Sequence, residues 1–257
     1  MGCPSPKIMK CDAGSAMLKD KKKSLDIIKE IAQHISIPLS LKTRTGLKQD
    51  DIEEQFDFLI EASQWVDMIS VHGRTYSQGH SGEVNRVFLY KLKEKLPHKI
   101  IIGNGGIRSY TQAQEKLRNL DGIMIGQSAI GNPRILTPHM PDTREKIQTI
   151  LHHLDLSVAC EIYFQQTINK YDKRDKLIQP TLQDLNQIIQ VLQSSDSPSS
   201  ALSSSLFTLR SPIEFRKYLF NYIKGLPESK QLKQAIIKIR DYHGLKNMIQ
   251  DYFNTLE

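Results

Sequence analysis

Four short apolar or β-branched runs, Ile37–Lys42, Met68–His72, Lys99–Gly103 and Gly122–Gly126, constrain this chain more than any other feature. Amphipathic stretches separate them: Ser24–His34 ahead of the first, then Asp50–Ser63, Val84–Leu96 and Tyr110–Leu120. Alternation of this kind predicts parallel strands joined by helical crossovers. Each run ends in a polar loop carrying glycine: TRTG, GRTYSQGHSG, NGGI and QSAIGNP. In βα architectures the loops at the carboxyl ends of the strands build the active site, so the chemistry is expected there.

Beyond Pro141 the strand signals stop. Thr143–Lys170, Leu182–Gln193, Pro212–Lys224, Ser229–Tyr242 and Leu245–Phe253 carry helical periodicity, and the serine-rich stretch 194–205 reads as a loop between helices. The expected division is a βα domain over 1–140 and an all-α domain over 141–257. A closed eight-stranded barrel takes roughly 250 residues. Only four strands are offered here, and the chain opens inside what reads as an active-site loop. The expected fold class is therefore α/β, a partial TIM (β/α)8-type barrel holding the last four strands, followed by a helical domain.

Composition narrows the function classes. Among 257 residues, three cysteines do not make a disulfide framework and fit a reducing cytoplasm. No apolar run reaches membrane-spanning length, the first residues lack the apolar core of a secretory signal, and neither a membrane nor a metal is expected. A net charge of +7 suits a phosphate-rich partner without singling one out.

Several residues in the loops invite chemistry, each against a plainer reading. Cys3, in Met1-Gly2-Cys3-Pro4, is either a small packing residue or a proton donor, since a thiol with an ordinary pKa of about 8.5 is mostly protonated near neutrality. Cys11 reads as a packing residue. Lys42 is costly to bury in an apolar strand unless an anion meets it; the alternative is a lysine already in water. Arg44 suits a phosphate or a surface ion pair. His72 ends a strand with glycine behind it and is either a cofactor contact or a satisfied structural histidine. Arg74 and the loop after it either meet RNA or are solvated. Asn104, Gly105 and Gly106 after one strand and Gly126 and Gln127 after the next are two glycine-bearing loops, suited to a phosphate cradle. In the second half, Arg216 and Lys217 lead a series of basic residues interleaved with aromatics, which serves RNA phosphates and bases or simply solvates a helix surface.

The ordered set MGCPSPKIMKCDAGSAMLKD, SLKTRTG, SVHGRTYSQGHSGEV, IIGNGGI and DGIMIGQSAIGNP resembles the tRNA-dihydrouridine synthase family over residues 1 to about 136. The helical tail is similar to that family's RNA-binding domain in length and character, with one local echo, FRKYLFNYIKG, where Tyr218 departs from an Arg-Lys-His pattern. The resemblance implies an FMN-dependent enzyme that reduces uridine in tRNA to 5,6-dihydrouridine, using NADPH or NADH as reductant. It implies that Cys3 is the acid that protonates C5 and that Lys42, His72, Asn104, Gly105, Gly106, Gly126 and Gln127 contact the flavin. The usual Gly-Arg pair reads Gly126-Gln127 here, which implies weaker hold on the FMN phosphate. Arg74, Arg216 and Lys217 are the implied RNA contacts.

In that family the GCP motif follows the fourth barrel strand, so the resemblance implies that strands one to four lie outside this chain, with another chain supplying the missing half-barrel. Two rivals remain: a non-catalytic RNA-binding remnant of the family, and a flavin barrel reducing a free pyrimidine, which leaves the helical half without a purpose.

Overall fold

The computed structural model describes residues 1–167, 180–194 and 209–256. Two compact units emerge, Met1–Ala129 with Ile135–Pro138, and Ile130–Arg134 with His139–Glu257.

The first unit is a parallel sheet of four strands in the order β1 (Ser40–Arg44), β2 (Met68–His72), β3 (Ile100–Asn104), β4 (Gly122–Met124). Its helices are a single turn α1 (Pro6–Met9), then α2 (Lys21–His34), α3 (Ile52–Ala62), α4 (Arg86–Lys95) and α5 (Tyr110–Leu117). Strand order follows chain order without reversal, so every right-handed crossover places its helix on the same face. That face carries Leu41, Ile69, Val71 and Ile101, buried against Leu25, Ile28, Phe58, Leu59, Phe88, Leu89 and Leu92 of the helices. Each such side chain contributes about 1.5–3 kcal/mol by leaving water. The register sets the opposite face in rows, Lys42 beside Ser70 and Ile102, then Arg44 beside His72 and Asn104. Period two puts the apolar residues on one side and these polar groups on the other.

Polar residues decide where the elements begin. Asp20 accepts from the Lys23 amide at 2.9 Å and caps α2, so that helix starts before the expected Ser24. Asn85 caps α4 through the Phe88 amide (3.0 Å), and Ser109 caps α5 through Gln112 (3.1 Å). At the amino ends of the strands, Asp67 accepts from Leu39 N (2.7 Å) and Asp121 from Ile101 N (2.7 Å). Burial raises Asp121, but the Ile101 amide and the Lys93 ammonium at 2.8 Å hold its carboxyl below the ordinary range.

The expected boundaries shift for identifiable reasons. The first strand runs Ser40–Arg44 rather than Ile37–Lys42, because Pro38 has no amide to give a ladder and Leu39 gives its amide to Asp67. The third gains Asn104 by pairing with His72, and the fourth stops at Met124. Gln49–Asp51 forms a 3-10 turn ahead of α3, and α5 ends at Leu117, where Arg118 takes a positive φ of 44°.

The second unit is helical: α6 (Thr143–Thr167), α7 (Leu182–Ser194), α8 (Ser211–Tyr222), α9 (Ser229–Ile236) and α10 (Tyr242–Asn254). Residues 168–170 of the expected first helix and 195–205 of the serine-rich loop lie outside the described residues. The single helix expected over Ser229–Tyr242 is broken, and Asp241 caps the new start at Tyr242 by accepting from Gly244 N at 2.7 Å. Glu161 of α6 accepts from the amides of Arg210 and Ser211, closing the amino end of α8. Inside the apolar core sits one carboxylate, Asp155, only 2% exposed. Tyr242 Oη donates to it at 2.6 Å, Gln193 Nε2 at 2.8 Å, and Lys246 Nζ donates to the Tyr242 hydroxyl at 3.0 Å. Burial and the neighbouring carboxylate both push Tyr242 up, so its hydroxyl keeps its proton. Among the described residues no helix is long and apolar enough to cross a membrane.

Tyr242→Phe removes a donor from Asp155 without opening a cavity. The expected loss is about 1–3 kcal/mol of unfolding free energy in urea, against a smaller loss for Tyr222→Phe, whose half-buried hydroxyl meets His153 Nδ1 at 3.2 Å.

Candidate active site

A cavity of about 580 Å³ opens at the carboxyl ends of the four strands. Its wall includes Cys3, Lys42, His72, Arg74, Asn104, Gly105, Gly106, Gly126 and Gln127, so the cysteine and every residue expected at the cofactor stand together. Arg216 and Lys217 belong to the helical unit. Cys11 lies outside the cavity, its thiol directed to the Lys7 carbonyl at 3.5 Å.

The wall is assembled around Arg44. Its side chain is 2% exposed and donates through Nε to Gly2 O (3.0 Å) and through Nη1 to Thr75 O (3.0 Å) and Gly79 O (3.2 Å). The expectation of a phosphate contact or surface ion pair is therefore corrected: the guanidinium is a buried clamp on three backbone carbonyls. It binds the segment carrying Cys3 and the loop after β2 to the end of β1. The Met1 nitrogen adds a bond to Lys42 O at 2.9 Å. Ser15 N donates to Cys3 O at 3.0 Å, and Gly14 beside it has φ +62°. A Cβ on Gly14 would stand 2.7 Å from Cys3 O and 3.0 Å from Cys3 Cβ, so only glycine fits against the cysteine here.

The loop after β2, expected to face RNA or solvent, is largely bonded to itself. Gln78 Oε1 accepts from Thr75 N at 2.9 Å, and its amide donates to Glu83 O at 3.3 Å. Arg74 donates through Nε to Gly82 O and through Nη1 to His72 Nε2 at 3.5 Å. Arginine only donates, which makes that ring nitrogen an acceptor and leaves the imidazole proton on Nδ1.

Among the described residues no carboxylate lines the cavity, while Lys42, Arg44, Arg74 and Arg108 all do. Among the described residues none of these four has a carboxylate within the 4.0 Å of an ion pair. Burial lowers Lys42, and Arg44 adds to it. Its side chain is nevertheless exposed, which on this wall means exposed to the cavity. His72, 7% exposed, is pushed down to about 3 by burial first and then by Arg44, Lys42, Arg74 and His80. It is neutral throughout the physiological range.

Glycines shape the remaining wall. A Cβ at Gly105 (φ +115°) would strike the His72 ring at 2.7 Å, whereas one at Gly126 would meet nothing within 4 Å. Asn104 is held by its amide on Met124 O at 2.9 Å, fixing the last two strands to each other. The sequence reading missed Arg108 and His80. Arg108 follows the NGGI loop, and His80 tilts against His72 with ring centroids 5.9 Å apart. Their place in carboxyl-end loops was the available signal. In the helical unit, Arg216 donates to Ile239 O, so the guanidinium expected to meet RNA is engaged in the turn between α9 and α10. Lys217 is exposed, its ammonium 5.0 Å from the Tyr218 ring centroid.

A parallel βα sheet with a cationic, carboxylate-free cavity at its carboxyl end defines a binding site for an anionic ligand. A family model described as dihydrouridine synthase matches residues 1–202, and the chain belongs to that family. It is 26% identical to a probable tRNA-dihydrouridine synthase of Rickettsia typhi over 263 aligned positions, 99% of this chain and 68% of the relative. It is 33% identical over 147 positions to a tRNA-dihydrouridine(20/20a) synthase of Salmonella typhimurium, covering 53% of this chain and 44% of the relative.

The depressed His72 makes a signed prediction. The unfolded chain takes up a proton below about pH 6.5 that the folded chain refuses until about pH 3. Wild-type stability relative to His72→Gln should be pH-independent above 6.5. It should fall below that by up to about 1.4 kcal/mol per pH unit, read from urea unfolding at pH 7, 5.5 and 4.5.

Proposed function

We propose that this chain is an FMN-dependent tRNA-dihydrouridine synthase that reduces a tRNA uridine to 5,6-dihydrouridine, with NADPH or NADH as the source of electrons. The observation that carries the reading is the meeting of Cys3, Lys42, His72, Asn104, Gly105, Gly106, Gly126 and Gln127 in one cavity without a carboxylate. The cavity suits the cofactor on its own chemistry. Its volume lies within the range of small-molecule sites, the wall is cationic, and the glycine loops leave room where side chains would intrude.

FMN, when bound, supplies the hydride that reduces C6 of the uracil. Lys42, whose ammonium faces the cavity, would hold the flavin and would favour its anionic reduced state by charge. Neutral His72 offers its Nδ1 proton as a hydrogen bond without adding charge. The backbone of Gly105, Gly106 and Gly126, with the Gln127 amide and Arg108, holds the phosphate. Cys3 keeps the proton that C5 receives, and Arg44 and Gly14 position the segment that carries it. Residues 141–257 serve as the tRNA-binding domain, with Lys217 among the phosphate contacts. The protein works in the cytoplasm, where its thiol stays reduced.

The sheet is read as half of a (β/α)8-type barrel. Sequential strand order and helices on one face support this, and the outer edges of β1 and β4 have no strand neighbour among the described residues. A second chain carrying the complementary strands is the partner expected on this reading.

Quenching of flavin fluorescence on titration with FMN tests the cavity directly. Wild-type chain is expected to take up FMN, Gly105→Val to lose it, and Gln127→Arg to bind about tenfold more tightly by adding a charged hydrogen bond. With unmodified tRNA and NADPH, Cys3→Ala should lower dihydrouridine formation about 10²–10⁴-fold at unchanged flavin content. Salt-sensitive tRNA binding without FMN uptake, and without any effect of Cys3→Ala, would favour the non-catalytic remnant instead.

A further inference from the structure

A second cavity, about 810 Å³, adjoins the first and shares Arg74, Gly106 and Arg108 with it. Arg86 and Lys116 line only this second space, on the side of α4 and α5. We infer that it is a phosphodiester site, taking the RNA backbone next to the nucleotide whose base enters the first cavity. The inference rests on the reading that tRNA is the substrate and adds to it a defined subsite.

The geometry centres on Gly106. At φ +65° it has no side chain, and the point where a Cβ would stand lies 3.7 Å from both Arg74 Nη2 and Arg86 Nη2. Two guanidinium ends thus converge over bare backbone. A tetrahedral oxyanion accepting at about 2.7–2.9 Å from each spans such a gap. Arg86 is aimed by a bond from Nη2 to Gly105 O at 3.1 Å. It is half-buried, and the positive charge of Arg74 acts on it. Arg74 in turn feels Arg108. Like charges held together cost energy until an anion joins them. One acid, Glu83, stands on the wall, exposed and without an ion pair to any of these cations. The cations therefore outnumber it four to one.

An RNA backbone phosphate fits better than a free ion because the space is open and shares Arg74, Gly106 and Arg108 with the first cavity, so that one strand can reach both. Such contacts position the strand without reading its sequence.

The test compares wild type with Lys116→Gln, Arg86→Gln and Arg86→Lys. Binding of unmodified tRNA is followed by fluorescence anisotropy across a salt series, with FMN quenching and far-UV circular dichroism alongside. Lys116→Gln and Arg86→Gln should each weaken tRNA binding roughly three- to tenfold and lower the salt slope by about one. Arg86→Lys should keep the slope, and Lys116→Gln, an accessible side chain, should keep its fold and FMN uptake. Wild-type affinity and slope in both glutamine variants would overturn the inference. A loss confined to KM for NADPH, with NADH and tRNA unaffected, would overturn it in favour of the reductant's own phosphate. Wild type that binds tRNA but not FMN, with the Lys116→Gln effect intact, would remove the catalytic reading and leave this site standing.

Discussion

The first unit depends on one buried cation. Arg44 gives three hydrogen bonds to carbonyls of Gly2, Thr75 and Gly79, segments that share no secondary structure. Carbonyl dipoles solvate its charge but do not neutralise it, as a carboxylate would. The charge consequently remains available to its surroundings: burial lowers His72 and Lys42 most, and Arg44 adds to both. A salt bridge in the same place would hold the loops equally well and leave the cavity electrically bland. Holding the loops with a donor that keeps its charge gives the wall rigidity and a positive potential from one side chain.

Charged side chains are used differently at the two ends of the sheet. Asp67 and Asp121 sit at the amino ends, each accepting a strand amide, and Lys93 meets Asp121. Lys42, Arg44, Arg74 and Arg108 gather at the carboxyl ends, and among the described residues none of them is paired with a carboxylate. The acids therefore satisfy backbone amides where packing matters, while the unpaired cations concentrate where a ligand enters. Unpaired charge held in a partly buried wall is a poor device for stability; its place here is explained by an anion.

Much of this was legible in the sequence, and the failures share a cause. Apolar runs marked the strands because their helix-covered face is buried. The carboxyl-end loops located the cavity because strand direction alone decides which end they occupy. The run Ser40–Arg44 was placed too early because its cavity face is polar and breaks the apolar pattern. Arg44 was misread because its acceptors are backbone carbonyls of residues 31, 35 and 42 positions away. No composition or spacing marks a carbonyl as an acceptor for a distant guanidinium. The break between α9 and α10 was placed after Tyr242, several residues late, because Leu232, Ile236, Ile239 and Tyr242 keep three- and four-residue spacing straight through a turn. Asp241 before Tyr242 was the local signal for it.

The glutamine at position 127 can be weighed against this charge distribution. A phosphate monoester carries about −1.5 to −2 near neutrality. Four cations around the first cavity exceed that charge even without an arginine at 127. On the proposed FMN reading, what Gln127 lacks is therefore local: a charged fork at one point of the phosphate, not the overall field. Arg108, on the neighbouring loop and free of any ion pair, lies on the same wall and supplies charge from another direction. It also belongs to the adjoining cavity, where the demand is for a second phosphate. Two arginines, Arg74 and Arg108, border both spaces and link them electrically, so filling the first with an anion reduces the positive charge available to the second. Occupancy of the two sites is then coupled through Arg74 and Arg108, and the sign of that coupling is unfavourable unless the ligands also touch each other.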